Sequence, residues 1–562
     1  MKCDERRPTC LRCQKFGAAC GGYTKIKEHP LSQRARPVLT ANGRVLFPKT
    51  QSTVQPSSML FETEEEQRYF TLFSERVVAE VLPYFDITLW KYMILQACVS
   101  EPSIRHAAVA IGALGKTFET VQAGRGRPPS ARQHRAPILG GPVESAQRVK
   151  SRVSRKEQLH QASSHHKYAL EQYHKAIKGM RSVASGGNLR TLLVTSLIIV
   201  CFEVLHGNQE AAAAQLQTGI ALVQDWRRDE RDASKHPLGF SSPAPDAIED
   251  YLVQFFGRLE IQLMSFRDTR PPECHLDLKE EGKEVIQHMP QLLTSINEAR
   301  VYLDLVMRRL MHFTASLNHF KVSYAQYEES TVANPAVPWI DSKILLATQP
   351  LSTSTAPYYS EHESLIMEVS CWIKSFTPLL NRSIEASGLQ CISALTLSLA
   401  ATTAKISVQT AFIKAETEYD VFEPEFRRNV TQATILLQIL EKVTPKNKPT
   451  LAFSFDLGVI PPLFLTCVKC RNSDIRKKAL QLLIQYPRRE GVWDSVTTAA
   501  IGTWVIELEE EDIGATAFIP EDDRVRKASI KFDLVERRAA MTCSKMDKKI
   551  GKLTQRRKDI TW

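Results

Sequence analysis

Residues 165–226 read HHKYALEQYHKAIKGMRSVASGGNLRTLLVTSLIIVCFEVLHGNQEAAAAQLQTGIALVQDW. His165 to Val183 and Leu189 to Leu205 both have helical character, and Gly186-Gly187-Asn188 stands between them as a turn. Asn208 is a residue type that caps helices, and it precedes a third segment that runs through Ala211 to Trp226. The middle run, Leu192 to Leu205, is almost wholly apolar, contains Glu203 and falls short of a bilayer span. It predicts a helix buried inside the protein, with other helices packed around it and no membrane segment.

The same texture continues in both directions. Upstream, Thr63-Glu64-Glu65-Glu66 has the pattern of a capping box, Tyr69, Phe70, Phe73, Val77 and Val81 follow at helical spacing, and Pro83 closes the segment. Downstream of a break at Lys235 to Pro245, helices are predicted at Ile248 to Phe266, Leu292 to Phe320, Ser364 to Leu380, Ile392 to Glu416 and Asn429 to Leu440. Strand signals are scarce and no fixed repeat period appears, so the expected fold class is all-α without a regular solenoid. Residues 124–156 are rich in Arg, Pro and Gly, with Glu144 the only acid, and are expected to be a disordered basic insert. The basic stretch from Arg524 to Trp562 is expected to be partly helical, ending in a solvated tail at 536–562. KKIGKLTQRRK within it is a candidate nuclear-import signal.

At 562 residues with a net charge of +11, the chain exceeds one usual core and favours polyanionic partners. The first residues are denser in chemistry than any later stretch. Cys3, Cys10, Cys13 and Cys20 lie in KCDERRPTCLRCQKFGAACGGY, and Cys10-x2-Cys13 lets one turn present two thiolates to one Zn2+. Disulfides are the competing reading, but no apolar leader follows Met1-Lys2, so reduced thiols and a metal are expected. Residues 24–58 mix proline, serine and threonine with basic residues and are expected to be a flexible linker.

The spacing C-x6-C-x2-C-x6-C, with Arg7-Pro8 before the second cysteine and Cys20-Gly21-Gly22-Tyr23 at the end, resembles the fungal Zn2Cys6 binuclear cluster over that module's last four cysteines. The resemblance implies that Cys10 bridges two zinc ions and that Cys3, Cys13 and Cys20 are terminal ligands. It also implies DNA contacts from the basic residues around them, Lys2, Arg6, Arg7, Arg12 and Lys15, at CGG-type sites. The family's first two cysteines and most of its basic recognition run are lacking. Met1 is therefore expected to be an internal methionine of a longer protein, and DNA binding by the chain as written to be impaired. The rival reading is a single zinc on the four cysteines present.

A second resemblance covers roughly residues 60 to 535. HHKYALEQYHKAI, FFGRLEIQLMSF, INEARVYLDLVM and FDLGVIPPLFLTCVKCRNSDIRKKALQLLIQYPRREGVWDS look like the regulatory domain of fungal-specific transcription factors. The implied order is a partial cluster at 1–23, the linker, the helical domain at 59–535 and the basic tail. The implied function is a nuclear, sequence-specific regulator of RNA polymerase II genes that contacts DNA and the transcription machinery, with a homodimer left open.

No P-loop, HExxH, GxSxG or glycine-rich dinucleotide turn is present, so no enzyme is expected. Glu509-Glu510-Glu511-Asp512 and Glu521-Asp522-Asp523 read as solvated loops. Interleaved with Trp504, Val505, Ile506, Leu508 and Ile513, the first of these acid runs also matches an acidic activation segment. Arg476, Arg488, Arg489 and Trp493 read as interhelical pairing and packing. Cys467-x2-Cys470 reads as packing, as do the single cysteines at 98, 201, 274, 371, 391 and 543. The alternative function is a helical scaffold that no longer binds DNA and acts through protein partners.

Overall fold

The computed structural model describes residues 38–39, 45–46, 60–81, 84–85, 88–125, 143–184, 188–229, 241–266, 268, 270–325, 356–413, 415–443, 453–491, 493–511, 519–533 and 538–561. The chain divides into two compact units, Met1–Glu62 and Thr63–Trp562. In the first, β1 (Val38–Leu39) pairs antiparallel with β2 (Val45–Leu46).

The second unit opens where the capping box places it. The Thr63 hydroxyl accepts a hydrogen bond from the Glu66 amide at 3.1 Å, and three acids fill the first turn of α1 (Glu64–Leu72). The side-chain oxygen thereby satisfies one of the amides that a helix start leaves bare. A π-helical turn (Phe73–Val77) and one further turn (Val78–Val81) extend α1. Then come α2 (Thr88–Ser100), α3 (Pro102–Arg125), α4 (Val143–Ala184), α5 (Leu189–His206), α6 (Gln209–Asp229), α7 (Asp250–Phe266), α8 (Pro272–Leu278) and, after a single turn at Lys283–Gln287, α9 (Ile296–Ala325). The chain continues through α10 (Ala356–Ala386), α11 (Gly388–Gln409), α12 (Glu423–Val443), α13 (Ile460–Lys469), α14 (Ser473–Gln485) and α15 (Ser495–Glu510). The all-α expectation holds for the bulk of the unit.

The quoted stretch folds as three consecutive helices, α4 to α6. Asn188 caps α5 by accepting from the Arg190 amide at 2.9 Å, Gly207 ends it at φ 97°, and the Asn208 side chain accepts from the Ala211 amide at 3.3 Å to start α6. A left-handed residue at that position is the natural glycine stop. Leu193 to Leu205 are all buried. Leu193, Val194, Leu197, Ile198, Phe202 and Leu205 among them join Ile104, Ala108 and Ile111 of α3, Leu216 and Ile220 of α6 and Leu252 and Phe256 of α7 in one apolar core. A second core gathers Trp372 and Phe376 of α10, Leu395 and Leu399 of α11, Leu436 of α12, Leu463 of α13 and Leu482 of α14. By length and composition α5 and α11 could cross a membrane, but most of each is enclosed by the protein.

Two expectations about order are corrected. Helix α4 begins at Val143 and takes in residues 143–156 of the presumed disordered insert. Beyond Pro142 that segment holds no glycine or proline and is rich in good helix formers, so it extends the helix that follows; residues 126–142 lie outside the described residues. The basic C-terminus, expected to be a partly helical tail, is a sheet: β6 (Arg526–Asp533), β7 (Arg538–Asp547) and β8 (Lys552–Thr561) pair antiparallel in the order β6-β7-β8. The physical reason is a period of two. Met541, Cys543 and Lys545 are buried, while Thr542, Ser544 and Met546, which alternate with them, are half exposed. The buried side chains Met541 and Cys543 pack with Val525 against Ile501, Trp504 and Val505 of α15 and Phe464 of α13. A smaller sheet joins β3 (Phe453–Ser454) in parallel to β4 (Arg489–Glu490), which pairs antiparallel with β5 (Trp493–Asp494).

Candidate nucleic-acid interface and the charged interior

The proposed ligands Cys3, Cys10, Cys13 and Cys20, and the basic residues Lys2, Arg6, Arg7, Arg12 and Lys15, lie outside the described residues. Among the described residues no group of three or more His, Cys, Asp or Glu side chains is arranged to hold a metal ion. Cys467 and Cys470 are both buried, and burial pushes the Cys470 thiol up to about 11 and the Cys467 thiol further up. Such thiols stay protonated and pack as small apolar groups, as expected. Cys98, Cys201, Cys391 and Cys543 are also buried. Cys274 and Cys371 correct the expectation: both are exposed, on α8 and α10.

What the sequence did not reveal is how much charge is enclosed. Glu509, in the acid run read as a solvated loop, is fully buried near the end of α15. It accepts from Arg476 at 2.8 Å and from the Val525 amide at 2.8 Å, and it lies 2.9 Å from Arg471. Asp523, also read as solvated, is buried and meets Lys548 at 2.7 Å. Trp504, Val505 and Ile506 are buried too, so these three belong to the core rather than to an exposed activation segment, while Asp512 and Ile513 lie outside the described residues. Glu416 pairs with Lys469 at 3.1 Å, and Arg524 binds both the Glu416 carbonyl and the Asp420 carboxylate, each at 2.7 Å. Arg476 thus pairs α14 with α15 as expected, Arg489 meets Asp494 at 3.0 Å, and Trp493 packs on Phe464.

A second cluster ties α7 to α9. Glu260 of α7 accepts from Arg308 at 2.7 Å and from Arg270, and Arg308 also reaches Glu281 at 2.5 Å. Burial alone would raise the Glu260 carboxyl, but Arg308, His312 and Arg270 together hold it well below the usual carboxylate range. His312 is enclosed beside it, its Nδ1 3.0 Å from Nδ1 of His275. Burial, aided by Arg308 and Arg270, lowers the His312 imidazole to about 4 against the opposing pull of Glu260. A third knot is Glu490 of β4. It accepts from the Tyr84 hydroxyl at 2.5 Å and from the amides of Gly458, Val459 and Ile460 at 2.8 to 3.1 Å, where α13 begins. The carboxylate meets the positive end of that helix. Each of these carboxylates is engaged by guanidinium, ammonium, amide or hydroxyl donors, which suits fixing helices in place.

Positive charge collects along the exposed edge strand of the C-terminal sheet. Lys548, Lys549, Lys552, Arg556, Arg557 and Lys558 are exposed along the β7–β8 turn and β8, and these residues are the import candidate of the sequence.

Residues 68–501 match the fungal specific transcription factor domain. The chain belongs to the fungal specific transcription factor family. Residues 1–30 match the fungal Zn(2)-Cys(6) binuclear cluster domain, which implies zinc binding. Over 95% of its length the chain is 23% identical to the aspercryptin biosynthesis cluster-specific transcription regulator atnN of Emericella nidulans, covering 92% of that protein. It is 22% identical to the transcription regulator lscL of Purpureocillium lilacinum over 40% of this chain and 47% of that one. No solved structure matches. The chain is a DNA-binding transcription regulator of the fungal zinc-cluster type.

Proposed function

We propose that Cys3, Cys10, Cys13 and Cys20 hold Zn2+, that Lys2, Arg6, Arg7, Arg12 and Lys15 face DNA, and that the helical body governs this activity in the nucleus without catalysing a reaction. The observation that carries the reading is the union, in one chain, of a cluster-domain match that contains all four thiols with a regulatory-domain match behind it. Four thiolates are a donor set that suits structural zinc, and the metal replaces a hydrophobic core too small to fold such a module alone. The basic groups then neutralise phosphates, so affinity falls steeply with salt. The family resemblance extends this proposal to CGG-type sites and to contact with the transcription machinery, with a homodimer or a monomer left open. The name of the Emericella nidulans relative extends the reading to the genes of a biosynthetic cluster as targets.

The test is zinc content and duplex binding of the purified full chain beside a Cys10→Ala/Cys13→Ala variant. Bound zinc and salt-sensitive DNA binding, with zinc lost in the variant, support the reading. A metal-free chain indifferent to duplex DNA overturns it.

A further inference from the structure

Residues 548–558, KKIGKLTQRRK, hold six cations and no acid. They do not form a loose tail. β8 pairs with β7 along its whole length, from Lys552 opposite Asp547 to Thr561 opposite Arg538, and among the described residues no strand lies along its other edge. From Lys548 to Asp559 every residue but Thr554 is exposed.

Three of the six cations have acidic partners: Lys548 meets Asp523 at 2.7 Å, Lys558 meets Glu507 at 3.1 Å, and Arg557 meets Asp559 at 3.2 Å. Lys549, Lys552 and Arg556 make no ion pair among the described residues. Because side chains alternate along a strand, Lys552, Arg556 and Lys558 share one face of β8, on the side of Met541 and Cys543 of β7, and on the edge strand all three are exposed. Lys552 and Arg556 stand about 13 Å apart at ~3.3 Å per residue, a span over which one DNA strand offers several phosphates. On the other face Arg557 sits beside Thr542, its partner in register on β7. Edge strands studded with lysine and arginine resist pairing with another strand, since the incoming backbone would strip water from those charges. A phosphate backbone meets the same charges favourably and gains entropy from the counterions it releases.

We propose that the β8 edge of the C-terminal sheet is a second DNA-contacting surface, in which Lys549, Lys552 and Arg556 grip phosphates without reading sequence. This inference rests on the reading of the chain as a DNA-binding regulator, and it assigns to the regulatory unit a share of an affinity otherwise credited to the cluster.

The experiment measures binding of the full chain to a duplex of arbitrary sequence across a salt series, for the natural protein, for Lys549→Ala/Lys552→Ala/Arg556→Ala and for Lys549→Arg/Lys552→Arg/Arg556→Lys. The alanine variant is expected to bind about tenfold more weakly at low salt, with a salt dependence shallower by about 2 to 3 in log–log slope, while the charge-conserving variant matches the natural protein. Zinc content and the melting transition are expected to stay unchanged in both. Should the triple variant lose its melting transition, the single Arg556→Gln substitution carries the test, with a slope change of about 1. An unchanged slope in the alanine variant overturns the proposal and leaves the cluster reading standing. Weaker capture of a polyglutamate peptide with unchanged DNA binding also overturns it, in favour of an acidic protein partner. A natural protein that ignores duplex DNA at low salt overturns both readings, and retained zinc would then separate the metal from the DNA contact.

Discussion

Around α5, Leu193 to Leu205 are buried in succession, and of these residues only Thr195, Ser196 and Glu203 are polar. Where α14 meets α15, by contrast, apolar packing is joined by an ion pair between Arg476 and Glu509, both fully enclosed. Carbon packing is non-directional, so a neighbour that shifts still finds contact. A buried guanidinium or carboxylate has no such latitude, because removing its partner leaves a charge without water. The α5 core should therefore yield gradually to substitution, and the polar seams of the C-terminal part abruptly.

Glu490→Ala should give the largest effect. It strands the Tyr84 hydroxyl and three amides at the start of α13, and a loss of about 3 to 5 kcal/mol is expected in denaturant melts. A loss under about 1 kcal/mol would show that water takes over the carboxylate's place and would erase the contrast.

The pH dependence probes the seam between α7 and α9. The His312 imidazole is held down at about 4, below the ordinary 6.5. The native state thus resists a proton that the unfolded chain accepts. Stability from this group is fully present above about pH 6.5 and is lost as pH falls toward 4, by about 3 kcal/mol in all. Glu260, also depressed, adds its own loss only below the ordinary carboxylate range near 4.5. His312→Gln should flatten the decline between pH 6.5 and 4.5, and an equal decline in the variant would place its origin elsewhere.

In the apolar core, Leu197→Met keeps volume and should cost less than about 1.5 kcal/mol, whereas Leu197→Ala should cost about 2 to 5 kcal/mol by leaving a cavity. Equal losses would mean that α5 is packed as rigidly as the polar seams are bonded.

The contrast also explains what could be read from the chain. Helix starts at Thr63 and Asn208 and the buried run before Asn208 were legible, because caps and apolar runs act over a few residues. The cluster was legible from thiol spacing, again a local signal. Glu509 was not: in the string Glu509-Glu510-Glu511-Asp512 it looks like its solvated neighbours, and its partners Arg471 and Arg476 approach only after α14 and α15 pack. β7 escaped notice because Met541 and Cys543 alternate within a stretch whose charges dominate its composition. Ser383 and Asn381 near the end of α10, like the exposed Cys371 on the same helix, show that one helix presents both buried and exposed small residues, which composition cannot sort.

The smallest effect belongs to charge outside the seams. On α12, Arg427 donates to Glu423 one turn earlier at 2.8 Å, with the two side chains 63% and 44% exposed. Water screens both partners, and holding two long side chains in one geometry costs entropy that offsets most of the attraction. Arg427→Ala should shift stability by no more than about 0.5 kcal/mol, and raising salt should shrink even that. The bond length resembles that of Arg476 to Glu509, so burial is the main variable separating the two pairs. If the α12 pair cost several kcal/mol to break, distance rather than enclosure would set the strength of an ion pair in this protein, and the division between its apolar and its charged interior would lose its physical basis.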